Sequence, residues 1–169
     1  MPAGLKQSSA VVPIGFSSTE TAANTFTQAQ VDLNLSPLDR EVFVVLAINI
    51  DSDFPDNVIN TKTGVRSQVT TTSQTEIVTL QNSNCLSRLT YETFNVANTC
   101  ATNYSSQSLE SPPATLEYIG IIATNDFFVG VEGTNNGLVK GMSGKMYGYR
   151  AIASADIYAA LVQSEVLSA

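Results

Sequence analysis

The sequence of 169 residues contains no histidine and no tryptophan, and only 14% of its residues are charged. Histidine is the usual general base near neutral pH and a frequent metal ligand. Its absence excludes Ser-His-Asp and Cys-His catalysis within one chain. We therefore expect this protein not to be an enzyme, because carboxylates are the main reactive groups that remain.

Positive charge is also scarce, with eight Lys and Arg against 15 Asp and Glu and a net charge of −7. Proteins bind the backbone of nucleic acids largely by neutralising phosphates with Lys and Arg. The positively charged residues are scattered here, and no two of them are adjacent. The composition therefore predicts no direct contact with nucleic acid.

Long apolar runs are missing as well. The longest, VFVVLAI, has the length of a strand, whereas a transmembrane helix needs about 18 or more apolar residues. The start, MPAGLKQSSAVVPIGF, lacks the apolar core that follows a basic end in a signal peptide. Low charge with much Ser, Thr and Asn is common in exterior proteins, yet no export signal is recognised. A protein that is made inside a cell and assembles there into a particle would satisfy both observations, and this is what we expect.

Cysteine occurs only at Cys85 and Cys100. Two thiols without histidine do not complete a zinc site. Two alternatives stay open. The pair forms one disulfide that closes a short loop, worth about 3 kcal/mol, or both residues are free, partly buried thiols.

The hydrophobic pattern that is present favours strands. Residues 25–35 alternate apolar and polar side chains, and residues 41–50 and 114–123 are apolar on both faces, as in strands buried on both sides. The Thr-rich residues 66–80 predict an exposed or edge strand. Residues 95–113 predict a long polar loop.

The segment TNNG, residues 134–137, is the strongest turn signal in the sequence. Asn136 and Gly137 both tolerate the positive φ of a type I′ turn, so they predict a hairpin between FFVGVEG and KMYGYRAIA. Gly144 and Gly148 lie inside the second of these segments. Glycine in a strand indicates a bulge or a close approach of neighbouring groups.

Strands follow strands without intervening helices, which favours antiparallel sheets. We predict an all-β fold, an antiparallel two-sheet sandwich of jelly-roll type over residues 25–153. Residues 1–24 predict an extended N-terminal arm that is ordered only where it lies on a neighbour, with a disordered terminus as the alternative. Residues 154–169 predict a short C-terminal helix with Ser154 as its N-cap. Its apolar face is predicted to carry Ile157, Leu161, Val166 and Leu167.

Three closely spaced carboxylates follow the strand at 41–50: Asp51, Asp53 and Asp56. Calcium prefers several oxygen ligands from a loop, so they form a candidate calcium site. The alternative is that they serve the turn itself. No other metal or cofactor is predicted.

Aromatic and acidic side chains supply two further candidate sites. Tyr147 and Tyr149 share one face of a strand, which makes them a candidate pair for glycan stacking, with core or interface packing as the alternative. Glu117, Asp126 and Glu132 are the candidates for a glycosidase-type carboxylate pair. The alternative is that they are strand-face carboxylates, Glu117 pairing with Arg150 or Lys145.

In its order of strands from Thr25 to Ala153 the chain resembles viral single jelly-roll capsid proteins. The segments that carry the resemblance are EVFVVLAINI, ATLEYIGIIATNDFFVGVEGTNNG and KMYGYRA. It implies a structural protein of the virion, a capsid subunit that self-assembles into an icosahedral shell through β-sandwich and arm contacts. The implied partners are copies of itself and other capsid proteins, and the implied site of assembly is the host cytoplasm.

The chain departs from many RNA-virus coat proteins because Lys6 is its only positive side chain before Arg40. It therefore lacks a basic arm, which argues against direct packaging of a genome. The alternative function is a carbohydrate- or receptor-binding β-sandwich module, in a decoration or adhesion protein. Loss of glycan binding on changing Tyr147 or Tyr149 to Ala would distinguish it.

Overall fold

The structure, a computed structural model, describes residues 2–97, 100–108 and 114–167. Its elements are β1 (Leu5–Gln7), β2 (Val12–Thr19), β3 (Thr27–Asp32), β4 (Glu41–Ser52), β5 (Lys62–Thr70), β6 (Cys85–Val96), β7 (Cys100–Gln107), β8 (Gly120–Ile122), β9 (Asp126–Thr134), β10 (Gly141–Ala153) and α1 (Ala155–Leu167). Within the described residues no helix has the length and apolar content needed to cross a bilayer.

The strands form two antiparallel sheets. Sheet A has the order β1-β10-β4-β8, with β2 also paired to β10, and sheet B has the order β3-β9-β5-β6-β7. The pairings are nested, since β2 pairs with β10, β3 with β9, β4 with β8 and β5 with β6. The chain is thus one long folded hairpin, rolled so that β10 also meets β4 and β9 also meets β5. This is jelly-roll connectivity, and the predicted two-sheet sandwich is confirmed.

The main core lies between the two sheets, where inward-facing side chains of both interdigitate. Phe16 of sheet A meets Phe127 of sheet B edge to face, with 5.9 Å between ring centroids. Phe43 and Val45 of β4 point into the same core and are almost completely buried. Phe127 is followed along β9 by further inward apolar residues, so the alternation of the sequence is preserved in the sheet.

The outer face of sheet A carries a second apolar cluster, which explains why β4 is apolar on both faces. Val42 and Val44 point to this side. Helix α1 covers them with Ile157, Tyr158, Leu161 and Val162. The predicted C-terminal helix is therefore confirmed, but Val166 and Leu167 are 58% and 75% exposed. The helical period puts Glu165 on the buried face instead.

Glu165 is 7% exposed and anchors the second half of α1. Its Oε2 accepts hydrogen bonds from the amides of Ala123 (2.9 Å) and Thr124 (3.2 Å), and its Oε1 accepts one from the Thr124 hydroxyl (2.8 Å). Burial raises the pKa of this carboxyl above its ordinary value of 4.5, and the nearby charge of Asp126 acts in the same direction. The helix is thereby tied to the turn between β8 and β9.

The N-terminal residues do not form the predicted arm. β1 and β2 both hydrogen-bond to β10 of their own chain, from Leu5 opposite Ala153 to Thr19 opposite Gly141. The prediction was wrong because this segment pairs with β10 of its own chain, and its amides and carbonyls complete an edge of sheet A. Leu5 and Phe16 are also buried in the two apolar clusters of the sandwich.

The prediction of a β-hairpin at TNNG is also wrong. β9 and β10 lie in different sheets, so residues 135–140 cross from sheet B to sheet A. Asn135 is the residue with positive φ, at 55°, whereas Asn136 and Gly137 are not left-handed. The local turn preference yielded to the side-chain contacts of Asn136, which is 5% exposed.

Three other strand boundaries differ from the predictions. The Thr-rich segment contributes β5, which is central in sheet B rather than at an edge, and residues 71–84 form a loop outside the named strands. Within the predicted polar loop at 95–113, the described part contains β7, while residues 98–99 and 109–113 lie outside the described residues. The predicted strand at 114–123 is reduced to β8.

Gly144 and Gly148 allow the close packing that their position in a strand predicts. A Cβ at Gly144 would meet the Phe16 ring at 2.6 Å and the carbonyl of Asn49. A Cβ at Gly148 would meet the Phe43 ring and the carbonyl of Val44, beside a shift in the β4–β10 register. The rings therefore occupy the space that side chains on β10 would need.

Replacing Gly148 with Ala should lower the free energy of unfolding by about 1–3 kcal/mol, because the new methyl group overpacks the core against backbone. Gly15→Ala is the matched control in the neighbouring strand, since nothing lies within 4 Å of its Cβ position. Chemical denaturation of both variants measures the difference. Equal stability of the two would contradict the packing described for Gly148.

The pKa of Glu165 makes a pH-dependent prediction. Since the folded protein raises this pKa, its stabilising contribution is complete below pH 4.5 and is lost as the pH rises through the folded value. Glu165→Gln keeps the shape without the charge, so its stability relative to the original protein should increase from pH 4 to pH 7. Thermal unfolding across this range measures the difference, and a constant or falling difference would contradict the burial effect.

Candidate functional site

The connections β2–β3, β4–β5 and β9–β10 meet at one end of the sandwich, which we call the loop end. Five large apolar side chains are exposed in two of these connections. They are Phe54 (55%), Val58 (39%), Ile59 (61%), Leu138 (72%) and Val139 (46%). Their exposure costs hydration free energy in an isolated chain, so the loop end is the candidate functional site.

Asn136 joins the three connections. Its amide donates to Asn24 Oδ1 (2.7 Å), and Asn24 Nδ2 donates back to its carbonyl (2.9 Å). Asn136 Oδ1 accepts from the Asp56 amide (2.9 Å), and its Nδ2 donates to the Gly64 carbonyl (2.8 Å). Because this buried side chain has both its oxygen and its nitrogen paired, the geometry of the loop end is fixed.

Glu20 fastens the same end from the β2 side and is 4% exposed. Its Oε1 accepts from the amides of Gly133 (2.6 Å) and Thr25 (3.0 Å), and its Oε2 accepts from the amide of Lys140 (2.8 Å). The carboxylate thus lies across both ends of the β9–β10 crossover. Hydrogen bonds to a charged acceptor are stronger than neutral ones, so this crossover is held firmly.

Lys140 and Asp56 form the ion pair of the loop end, with Nζ 2.6 Å from Oδ1. The Lys140 side chain is 9% exposed and that of Asp56 is 31% exposed. Asp56 Oδ2 accepts the Gly137 amide at 2.8 Å. The hydrogen bond from Lys140, helped by that from Gly137, holds the pKa of Asp56 below its ordinary value of 3.8.

The candidate calcium site is not formed. Asp56 is engaged by Lys140, and Asp53 Oδ2 accepts the Gly141 amide at 2.7 Å. Asp51 is exposed on β4, opposite Ser143. Across the described residues no group of three or more His, Cys, Asp or Glu side chains could hold a metal ion. Two of these carboxylates instead bind Lys140 of the β9–β10 crossover and Gly141 of β10, so they fasten this loop to a distant part of the chain rather than serving its own turn.

Tyr147 and Tyr149 lie on the outer face of sheet A, but they do not form an open platform. Tyr149 is 8% exposed and belongs to the cluster beneath α1. Burial raises its pKa, and the charge of Glu117 contributes in the same direction. The prediction that this pair stacks on a glycan is therefore wrong, because helix α1 packs over Tyr149.

The two cysteines are not brought together. Cys85 begins β6, whereas Cys100 begins β7 opposite Val96 at the far end of β6. Cys85 is a free thiol whose pKa is raised by burial. The disulfide alternative is wrong because the β6–β7 hairpin separates the two backbones by the length of β6.

A glycosidase-type pair is not formed by Asp126 and Glu132. Both lie on β9, and at about 3.4 Å per residue their backbones are roughly 20 Å apart, beyond the separation such pairs need. Glu117 is exposed in the segment before β8. Arg150, one of the two partners expected for Glu117, donates to Glu41 (3.3 Å).

The loop end was not predicted from the sequence. Its apolar residues stand next to turn residues, in FPDNVI and NGLVK. Large apolar side chains within turn-forming segments were the available signal. The buried roles of Glu20 and Lys140 had no such signal, because they depend on contacts across the sandwich.

Asp56→Asn should lower stability by roughly 1–2 kcal/mol near neutral pH, since it leaves the nearly buried Lys140 without its charged partner. The contribution of Asp56 is present above pH 3.8 and is lost as the pH falls through its lower folded pKa. Asp51→Asn, at an exposed carboxylate, is the control. Urea denaturation at pH 7 and near pH 2 measures both, and equal effects of the two variants at pH 7 would contradict the ion pair's role.

No protein-family model matches the sequence. No curated protein matches it either. Among solved structures, a chain described as Desmodium yellow mottle tymovirus is similar, with 12% identity and a TM-score of 0.28, over 92% of this chain and 95% of that chain.

Proposed function

We propose that this protein is a structural subunit of a virus particle, a capsid protein that assembles with copies of itself and acts without catalysis. The jelly roll is an architecture of viral capsid domains, but also of lectins and cupins. A fold hosts many functions, so a site must carry the argument. The observation that carries it here is the rigid loop end with its exposed apolar side chains.

These side chains do not fold back into the core. Asn136, Glu20 and the Lys140–Asp56 ion pair hold the connections in place, so Ile59 and Leu138 stay 61% and 72% exposed. Exposed apolar groups gathered on one region mark sites of association. A second copy offers the same surface, which suits the symmetric contacts of homo-oligomers.

Strand β7 supplies a second surface for association. It is the edge of sheet B, and its sequence CATNYSSQ contains no charged residue. Edge strands that must stay unpaired commonly carry Lys, Pro or a bulge as protection. An uncharged edge of eight residues supports pairing with a neighbouring chain.

The proposed assembly needs no basic arm and no contact with a genome. β1 and β2 are incorporated into sheet A, so the contacts of the shell come from sandwich ends and edges. The net charge of −7 favours other capsid proteins, rather than nucleic acid, as further partners. The proposal therefore locates the protein in the virion.

Leu138→Asp tests the proposal at the loop end. Burying a carboxylate against a neighbour is unfavourable, so we expect the concentration needed for assembly to rise about tenfold or more. Leu38→Asp is the matched control, because Leu38 is 95% exposed in the β3–β4 connection at the opposite end. Sedimentation velocity over a range of concentrations measures both.

The result that supports the proposal is a large assembly that survives Leu38→Asp and is weakened by Leu138→Asp. A protein that stays monomeric at every concentration and salt tested would refute it. Equal loss of assembly in both variants would refute the assignment to the loop end.

A further inference from the structure

The face of sheet B that points away from the core contains a cleft of about 290 Å³. β5, β6 and β7 form its floor, where Arg66, Thr90 and Ser106 follow one another across the three strands. Arg88 and Ser108 lie in the neighbouring row. Two arginines in one cleft are notable because the whole chain has only eight Lys and Arg.

Arg88 carries the unusual feature of the cleft. Its Nε is buried, and no described residue accepts a hydrogen bond from it. A buried donor without an acceptor costs about 1–3 kcal/mol. No carboxylate of the described residues forms an ion pair with Arg88, although the other cleft arginine has one. Among the described residues, the guanidinium therefore keeps donor capacity that no carboxylate uses.

Arg66 is already paired in the same cleft. Its Nη2 lies 3.2 Å from Glu92 Oε1, and Lys62 Nζ lies 2.8 Å from Glu92 Oε2. The hydrogen bonds from Lys62 and Arg66 hold the pKa of Glu92 below its ordinary value of 4.5, so this carboxylate is ionised at neutral pH. Glu92 thus shows that the cleft accommodates a carboxylate beside an arginine.

The wall of the cleft is fixed by the loop at 71–84, which contributes Leu80. Gln68 is fully buried beneath this loop, donating to the Glu76 carbonyl (3.2 Å) and accepting the Val78 amide (2.7 Å). Gln28 binds the same loop through Ser73 (2.8 Å). The loop that forms this wall is therefore held by hydrogen bonds to β5 and β3.

We propose that this cleft binds a carboxylate group, with Arg88 as the recognising residue and the hydroxyls of Thr90, Ser106 and Ser108 as supporting donors. A carboxylate offers two acceptor oxygens to the forked donors of a guanidinium. It also carries one negative charge, which matches the one arginine of the cleft that forms no ion pair with a described residue. A phosphate dianion would need a second free positive charge, but Arg66 is shared with Glu92.

The volume fits a small ligand, since it is at the lower limit of small-molecule pockets. The carboxylate has two available sources, a free small acid or an Asp or Glu side chain of a second copy of this chain. Both make the same contact with Arg88. The proposal concerns the cleft alone and holds whether or not the loop end forms a capsid contact.

Sodium acetate is the probe, titrated into ¹⁵N-labelled protein with sodium chloride at equal ionic strength as reference. We expect saturable NMR shifts at the Nε–H of Arg88 and at the amides of Thr90 and Ser108. Arg88→Gln should weaken acetate binding at least tenfold. Lys145→Gln, which removes an exposed positive charge on sheet A, should leave it unchanged.

Arg88→Lys keeps the charge but removes the guanidinium, including Nε, so it should weaken acetate binding several-fold. This variant replaces Arg88→Gln in the test if Arg88→Gln does not fold. Acetate shifts that match those in chloride would overturn the proposal, as would unchanged affinity in both Arg88 variants. Tighter binding of inorganic phosphate than of acetate would overturn the assignment to carboxylate.

Sedimentation with and without acetate distinguishes the two sources. If acetate dissociates an oligomer, and Arg88→Gln also fails to form that oligomer, the carboxylate comes from a side chain of a second copy. Acetate that binds in the cleft without changing the oligomeric state identifies a free acid. Either result supports the cleft, and each is independent of the Leu138→Asp result at the loop end.

Discussion

The fold depends on β10, the strand at which the rolled hairpin closes. β10 pairs with β1 and β2 on one side and with β4 on the other, so it joins the first strands of the chain to its middle. This closure requires Phe16 and Phe43 to lie directly over Gly144 and Gly148. The two aromatic rings fill the core where β10 has no side chains. On its outer face, β10 contributes Tyr149 and Ala151 to the apolar cluster that α1 covers.

The same closure determines what the protein presents to its surroundings. Because β9 and β10 belong to different sheets, the chain must cross between them, and Glu20, Asn136 and Lys140 stabilise that crossover with buried hydrogen bonds. Buried polar groups that are fully paired specify one arrangement of the backbone. A fixed crossover leaves Leu138 no route into the core. The exposed apolar loop end is therefore a consequence of how the sandwich is closed, and the proposed role in assembly follows from it.

The sequence was sufficient to predict the class of the fold. It also predicted those elements in which the pattern of apolar side chains indicates which faces are buried. β4 is apolar on both faces because one face meets the core and the other meets α1. Its composition predicted burial on both faces, although not that α1 provides it. The sequence was insufficient where backbone pairing or distant contacts decide the outcome. β1 and β2 are edge strands paired with β10, TNNG crosses between sheets instead of forming a hairpin, and β5 is central despite its threonines. The candidate sites failed for a related reason: spacing placed Asp53 and Asp56 near one another, but Gly141 and Lys140, more than eighty residues away, occupy their carboxylates.

The central claim is that the loop end is a contact surface between copies of this chain within a shell. Electron cryo-microscopy of the purified protein tests it most directly, because it shows both the assembly and the surfaces in contact. The account predicts closed, symmetric particles in which Ile59 and Leu138 of one subunit pack against a neighbouring subunit. Isolated monomers, or a shell in which the loop ends face solvent without contacts, would contradict it.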